Sequence, residues 1–520
     1  MNRPTTSNPA RLARQKIHSI EALGRLADEV RARKQKIVLC HGVFDLVHMG
    51  HVRHLEAARK EGDVLVVTLT ADRFVNKGPG RPIFGQEMRA EMLAALEYVD
   101  YVGINDAADA EAVLDAVRPD VYVKGSDYEN PEDDITGKIA DEREAVERHG
   151  GRLVFTRDIT FSSSNLINRY LDVYDPPLRD FLDGRRADGG PERIRALIES
   201  VSGKTVTIVG DAIIDEYQYV GTLGKSAKEH IIATVYQGNE IFAGGVFAAA
   251  NHVAAFCAQV DLVTALAEDC PYEDMIRHSL KPNVRLHLVR VGDRPTTRKL
   301  RFVDQGAYMR KLFEVYFMDD RPLPEANREV LAELVANKAR ESDLVIVTDF
   351  GHGMIDHGLV TVLRNNARFL AVNAQTNAGN QGYNLVSKYL NADYVCIDAP
   401  EARLATSDKY SDIADVVGEV LPRITQCRKA IVTHGSNGSY TYSPDEGVTR
   451  IPAFTKTVVD TVGAGDAFFA VTAPLVAVGG HMADVGFVGN AAGAIKVGIV
   501  GHRQSVEKIP LMKFVNTLLK

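Results

Sequence analysis

Neither a zinc pattern nor a disulfide framework can be built from the cysteines of this chain. There are five in 520 residues, Cys40, Cys257, Cys270, Cys396 and Cys427, scattered without a C-x-x-C pair, so they read as packing residues. No run of about 18 apolar residues occurs that could span a bilayer, which speaks against a membrane partner. The first sixteen residues, MNRPTTSNPARLARQK, carry basic charge but lack the apolar stretch of an export signal. A loose tail on a cytoplasmic protein is the expectation. Internal repeats and low-complexity tracts are also missing. Positive charge is in deficit: 61 basic against 69 acidic residues leave a net −8, which argues against a nucleic-acid surface while a local Lys and Arg pocket can still hold phosphates.

What is present is an ordinary globular composition, 45% hydrophobic and 25% charged, in a chain long enough for two large domains. From Ile37 onward, short apolar runs (KIVLC, DVLVVTLT, VDYVGI, PDVYVKG, GRLVFT) alternate with helical patterns such as HVRHLEAARKEG and QEMRAEMLAALEYVD. This alternation predicts an α/β fold with a parallel sheet and crossover helices. The polar stretch DVYDPPLRDFLDGRRADGG, Asp172 to Gly190, reads as a linker. After a helix of the form PERIRALIESV, a second α/β series runs through TVTIVGD, VDLVTAL, DLVIVTD, RFLAVN, ADYVCI and KAIVTHG. The expected divisions are a tail and helix over 1–36, a first domain over 37–171, linker and helix over 172–203, and a second domain over 204–520.

Two segments carry chemistry. CHGVFDLVHMGHVRHL, Cys40 to Leu55, is a strand end, a glycine-containing turn and a helix start. His48 and His51 meet there, where backbone N–H groups favour anions, and their imidazoles can donate to a triphosphate as charge builds on it. Gly50 between them permits close approach. The spacing of His48, His51 and His54 equally allows a metal face. KGPGRP adds Lys77 and Arg81, VKGSDY adds Lys124 and Asp127, and FSSSNLINRY sets Ser162, Ser163 and Ser164 before a helix; each is a candidate phosphate contact. Near the C-terminus, VVDTVGAGDAFFAV places Gly463, Ala464 and Gly465 before Asp466. Glycine-freed N–H groups at a helix start can cradle a phosphoryl charge while Asp466 takes a proton from an attacking hydroxyl. The competing reading is an N-capping Asp in a strand-to-helix turn.

In this order the motifs resemble those of the bifunctional heptose-phosphate kinases and adenylyltransferases, with the domain order inverted. HGVFDLVHMGH, KGPGRP, VKGSDY and FSSSN are similar to the nucleotidyltransferase domain, over roughly 37–171. VGDAIIDEY, AGGVFAAAN, TTRKLR, TDFGHG, DAPE, THGSNG and the G-A-G-D segment resemble the ribokinase-like carbohydrate kinases, from about Thr205 to the end. The resemblance implies a Rossmann-like N-terminal domain and a ribokinase-like C-terminal domain. It implies catalytic roles for His48, His51, Lys77 and Asp466. Nucleotide binding falls to Gly42, Val43, Phe44, Lys124, Asp127 and the three serines in one domain, and to Thr433, Gly435, Gly438, Gly463, Ala464, Gly465 and Asn490 in the other. Asp211, Asp215, Gly244, Gly245 and Arg298 would bind the sugar phosphate, and Glu401 would hold Mg²⁺ through water. ATP, Mg²⁺ and a monovalent cation are the implied cofactors, with CTP left open in the first domain. The implied partners are small phosphorylated sugars and nucleotides and further copies of the chain, and the implied product is ADP-heptose for a surface polysaccharide.

The sugar-reading part departs from the kinase pattern: Ala248, with Asn251 three residues on, follows the glycine pair, and Asn373 and Asp398 stand where an Asp and an Asn are expected. Three readings therefore stay open. They are the heptose enzyme, a related pair of activities on another sugar or polyol with another base, and a nucleotidyltransferase joined to a non-catalytic kinase-like module.

Overall fold

A computed structural model describes residues 13–75, 77–78, 81–125, 138–156, 167–168, 174–306 and 309–520. The chain divides into two compact units, one of Met1–Pro176 with Met512–Leu518 and Lys520, the other of Pro177–Leu511 with Leu519.

The first unit is a six-stranded sheet of β1 (Ile17–His18), β2 (Ile37–Gly42), β3 (Val64–Thr70), β4 (Tyr101–Asn105), β5 (Val121–Gly125) and β6 (Arg152–Thr156). The order is β1-β4-β3-β2-β5-β6 and every pair is parallel. β2 shows why such strands read as unbroken apolar runs: it is buried on both faces. Val38 and Cys40 enter one core with Val67 and Leu93, while Ile37 and Leu39 enter the other with Leu23 and Val113. β2 sits between β3 and β5, where the strand order reverses, and ligands of doubly wound sheets bind beyond the carboxyl end of that strand. The helix Ile20–Ala32 starts where Ser19 Oγ accepts from the Ala22 N–H at 3.2 Å and buries Leu23, Ala27 and Val30, one helical stripe.

The second unit holds two sheets. The larger has nine strands in the order β11-β10-β7-β14-β15-β16-β17-β18-β19: β7 (Thr205–Gly210), β10 (Gln259–Ala267), β11 (Val284–Val291), β14 (Leu344–Asp349), β15 (Leu370–Ala374), β16 (Tyr394–Asp398), β17 (Lys429–Thr433), β18 (Ser439–Ser443) and β19 (Gly447–Ile451). It is parallel up to β17, and β18 and β19 are antiparallel. The smaller sheet, order β13-β12-β8-β9, comprises β8 (Ala212–Lys225), β9 (Ile232–Gly245), β12 (Thr297–Asp304) and β13 (Arg310–Phe317). The α/β pattern of the sequence does not foretell this second sheet, whose strands are interrupted by Gly221, Gly224 and Gly238 and by shifts in register.

The stretch read as a linker is helical from Pro176 onward. Pro176–Ala187 and Gly190–Glu199 are helices, joined at Gly189 with φ +74. Leu178 and Leu182 recur at helical spacing inside the polar segment and are buried, and proline suits a first turn. Among the described residues no helix is long and apolar enough to cross a membrane.

Candidate active sites

In the first unit, β2 ends at Gly42 and the chain turns into the helix Met49–Arg59. His48 caps that helix: its Nδ1 accepts from the Gly50 N–H at 3.1 Å, and His51 Nδ1 accepts from the His48 N–H at 3.4 Å. The two rings lie 4.1 Å apart, with Phe44 edge-on to His51 at 5.2 Å. Burial lowers the pKa of His48. A neutral ring whose Nδ1 accepts carries its proton on Nε2, and His48 Nε2 is buried without a partner among the described residues. Burial first, then the charges of His48, His54 and Lys77, push His51 down to about 3. Phe44 takes the left-handed conformation, φ +51, which swings its ring over Gly42. A Cβ on Gly42 would stand 3.3 Å from that ring, so the glycine lets ring and strand end close together.

Lys77 is half-buried in the KGPGRP segment, and burial, reinforced by Arg81 and Arg89 against Asp45, lowers its pKa to about 8. Arg81 of the same segment pairs with fully buried Asp45 at 2.8 Å, and Asp45 also accepts from the Ile83 N–H at 2.6 Å. Arg89, with no exposed surface, donates to the carbonyls of Val43, Thr70 and Phe84 and to Asp72. Asp45 and Arg89 thus tie the histidine turn to the lysine segment, a role the motif reading overlooked. Lys124, at the end of β5, pairs with Glu142 at 2.8 Å. His54 turns to Thr156 Oγ1 at 2.7 Å, and among the described residues no group of three His, Cys, Asp or Glu side chains could hold a metal. The three-histidine metal face is therefore set aside. Asp127, Ser162, Ser163 and Ser164 lie outside the described residues.

In the second unit, Asp466 sits in the first turn of the helix Ala464–Ala477, behind Gly463 with φ +73. Its Oδ1 accepts from Gln375 Nε2 at 2.5 Å. Burial raises its pKa, with Asp215 adding to the rise and His502, Gln375 and Lys299 opposing it. Asp215 on β8 is buried as well. Arg301, and His502 at 3.1 Å, hold its carboxyl well below the usual range despite the burial that opposes this. The β8–β12 register sets Lys299 beside Asp215. A Cβ on Gly244 would stand 2.1 Å from Asp215 Oδ2, and one on Gly463 would stand 2.7 Å from His502. His502 is thus the common neighbour of Asp215, Gly244 and Gly463. A lone histidine in a loop carries no sequence signal; Lys299 and Arg301 belong to the TTRKLR segment, of which only Arg298 is expected to bind, and Gln375 follows Asn373 with no motif of its own.

Asp211 accepts from the N–H groups of Phe350 at 2.9 Å and of His352 and Met354 at 3.4 Å, organising the TDFGHG turn. Burial and Asp349 raise its pKa to about 6. His352 is buried with both ring nitrogens unpartnered among the described residues. It lines a cavity of about 30 Å³ with Asp211, Arg294 and Thr296. A larger cavity of about 950 Å³ is lined by Phe242, Ala248, Asn251, Lys281, His502 and Arg503.

The other expected residues also make contacts within the second unit. Arg298 pairs with Glu216 at 2.8 Å and lies over Phe317. Gly245, φ +54, caps the helix Val246–Ala254. Asn251 bonds the Ser279 carbonyl and the Lys281 N–H. The Asn490 amide donates to the Ile451 and Pro452 carbonyls and accepts from Ser439 Oγ, a brace between strands. Thr433 ends β17, and Gly435 and Gly438 form the turn to β18. Asn373 donates to the Cys396 carbonyl. Asp398 and Glu401 cap the helix Ala399–Thr406 reciprocally, at 2.7 and 2.9 Å, and Glu401 also accepts from the Thr376 N–H. Burial and then Asp398 raise the pKa of Glu401 to about 8.

Residues 204–509 match the pfkB family carbohydrate kinase model, and residues 39–169 match the cytidylyltransferase-like model. The chain is 39% identical to the bifunctional protein HldE of Syntrophotalea carbinolica over 163 residues, 31% of this chain and 32% of that protein. It is 39% identical to the bifunctional protein HldE of Geobacter metallireducens over 165 residues, again 31% and 32%. The match thus spans about a third of the length of these relatives. Phosphofructokinase-2 from Escherichia coli, solved in complex with substrates and products, superposes with a TM-score of 0.50 at 13% identity, covering 61% of this chain and all of that one. That likeness concerns the fold, which is ribokinase-like in the second unit and Rossmann-like in the first.

Proposed function

The chain belongs to the pfkB family of carbohydrate kinases, and from that footing we propose that it is a bifunctional enzyme, a sugar-phosphate kinase and a sugar 1-phosphate nucleotidyltransferase, that makes ADP-heptose. The likeness of its nucleotidyltransferase part to HldE proteins supports the choice of sugar and of ATP as donor. The observation that carries the reading is buried Asp466 beneath the glycine turn at the head of its helix, steadied by Gln375 and set near Asp215, Lys299 and His502.

In the kinase unit Asp466 accepts the proton of the attacking sugar hydroxyl as that oxygen bonds the γ-phosphorus and the bond to ADP breaks. The first N–H groups of the helix Ala464–Ala477 lack intrahelical partners and receive the phosphoryl charge. Asp215, Arg301 and Lys299 orient the sugar. The carboxylates present suit Mg²⁺. This ion needs only one or two beside phosphate oxygens, and the buried pair Asp398 and Glu401, both with raised pKa, is what a cation would relieve. When bound, Mg²⁺ neutralises the phosphates.

In the nucleotidyltransferase unit the sugar phosphate oxygen attacks the α-phosphorus and pyrophosphate leaves, so no protein nucleophile is needed. His48 offers its Nε2–H to the phosphate, His51 supports it from one turn on, and Lys77 neutralises the triphosphate.

The test is a paired assay of the full chain with ATP or CTP, Mg²⁺ and heptose 7-phosphate or heptose 1-phosphate, products being weighed by mass spectrometry. Heptose bisphosphate and ADP-heptose are expected. CDP-heptose in place of ADP-heptose would overturn the choice of base, and nucleotide sugar without any bisphosphate would overturn the kinase half.

A further inference from the structure

Lys496, the last residue of the helix Met482–Lys496, has no exposed surface. Its Nζ donates to the carbonyl of Val462 at 2.8 Å and to that of Gly501 at 2.7 Å. The opposite ends of the same two residues are held by Asp460, which accepts from the Val462 N–H at 3.1 Å and from the Gly501 N–H at 2.8 Å. Asp460 already has a cation of its own, Lys311 at 2.8 Å, and a hydroxyl donor, Tyr217 at 2.8 Å. Asp460 therefore does not require Lys496 as a counter-ion. What the ammonium touches is backbone. Burial lowers its pKa while Asp460 and Asp466 oppose the loss of its proton.

The position of those carbonyls gives the ammonium its significance. The Val462 carbonyl and the Gly463 N–H are the two ends of one planar peptide group. A cation on the oxygen polarises the N–H at the other end, as bonds in a chain strengthen one another. Gly463 opens the turn that leads to Asp466, and the Lys496 side chain runs directly behind it, 3.4 Å from where a Gly463 Cβ would stand.

We propose that Lys496 is a tethered monovalent cation: its ammonium occupies the carbonyl cage behind the glycine turn and orients and polarises the Gly463 peptide toward the transferring phosphoryl group. Phosphoryl transfer then needs no dissociable potassium or sodium ion, which replaces the sequence-based expectation of a monovalent cofactor. Lys496 is a positioning residue, since it acts through the peptide. The inference rests on the kinase reading of the second unit.

The experiment measures phosphoryl transfer by the full chain in buffers whose only monovalent cation is tetramethylammonium, with and without added potassium or ammonium. Wild-type turnover is expected to be indifferent to the added ion. Lys496→Met should lose about 10²-fold in kcat with little change in the KM for ATP, the size of one oxyanion donor. Lys496→Ala should recover part of that loss when ammonium or methylammonium is supplied, and should bind thallium(I) by ²⁰⁵Tl resonance where the wild type does not. A wild type that requires potassium or binds thallium overturns the inference, as does a Lys496→Met enzyme of normal kcat, or a folded Lys496→Ala enzyme that neither recovers nor binds the ion. If neither variant folds, the wild-type potassium and thallium responses decide. A wild type that phosphorylates no sugar phosphate refutes the kinase reading instead, and its thallium response still tests the tether.

Discussion

Asp466→Asn separates the catalytic role of this carboxylate from any structural one, because the two predict opposite signs. Asn keeps the shape and an oxygen for the Gln375 amide, which donates to Oδ1 at 2.5 Å, but it cannot take a proton. Removing a general base is expected to lower kcat by about 10² to 10⁴, equivalent to roughly 3 to 5 kcal/mol of barrier. Stability should not fall with it. Burial raises the pKa of Asp466 in the folded state, so the fold holds the proton more tightly than the unfolded chain does. The group's contribution is then most favourable below its unfolded pKa and is lost as pH rises through the folded value. At neutral pH the neutral amide removes that penalty, and the melting temperature should be equal to that of the wild type or higher. The assay couples ADP release to sugar-phosphate addition, with melting followed on the same sample and nucleotidyl transfer as an internal control. A kcat within about threefold of wild type would refute the base assignment, and a melting temperature well below wild type would make Asp466 a helix cap whose loss unfolds the site.

Lys77, with its pKa lowered to about 8 chiefly by burial, is cationic below that pH and neutral above it. The kcat/KM of nucleotidyl transfer should therefore decline as pH rises through about 8, and Lys77→Arg should move that limb out of range; a profile unchanged by the substitution would remove Lys77 from the triphosphate site. Gly244→Ala drives a Cβ to 2.1 Å from Asp215 Oδ2, and over-packing of this kind costs about 1 to 3 kcal/mol. A raised KM for the sugar phosphate is expected, with nucleotidyl transfer untouched. Arg89→Met leaves the buried carbonyls of Val43, Thr70 and Phe84 without their donor, at roughly 2 to 4 kcal/mol. The midpoint of urea unfolding should drop, and nucleotidyl transfer should weaken even where the protein stays folded, because the histidine turn loses its brace.

The alternation of apolar runs and helical patterns made the central strands legible, because a parallel strand buried on both faces needs an unbroken apolar stretch, as β2 has in Ile37, Val38, Leu39 and Cys40. The four-stranded sheet was not legible for the complementary reason. β8 and β9 run fourteen residues each across glycines and register shifts, and β9 exposes the consecutive apolar residues Val235 and Tyr236, which point to opposite faces, so no clean two-residue period survives. The polar segment after Asp172 hid a helix because its few apolar residues, Leu178 and Leu182, suffice at the right spacing.

The same distinction separates what the motifs revealed of the two sites from what they did not. His48 with His51, and Gly463 with Asp466, are a few residues apart, since a helix N-terminus gathers glycine, donor and titratable group within one turn. Their supports come from afar. His502 reaches Asp215 across 287 positions and Arg89 reaches Val43 across 46, and nothing in the residues flanking either marks its purpose. Those distant groups set the electrostatics, however: Arg301 and His502 keep Asp215 ionised, whereas Asp466, whose pKa burial raises, is tempered by His502 and Lys299. Two buried carboxylates in one unit are thereby pushed in opposite directions, one held as an anion and the other left able to accept a proton, the division that the proposed kinase reaction requires. A motif can name the second, but only the fold supplies the neighbours that make the first its opposite.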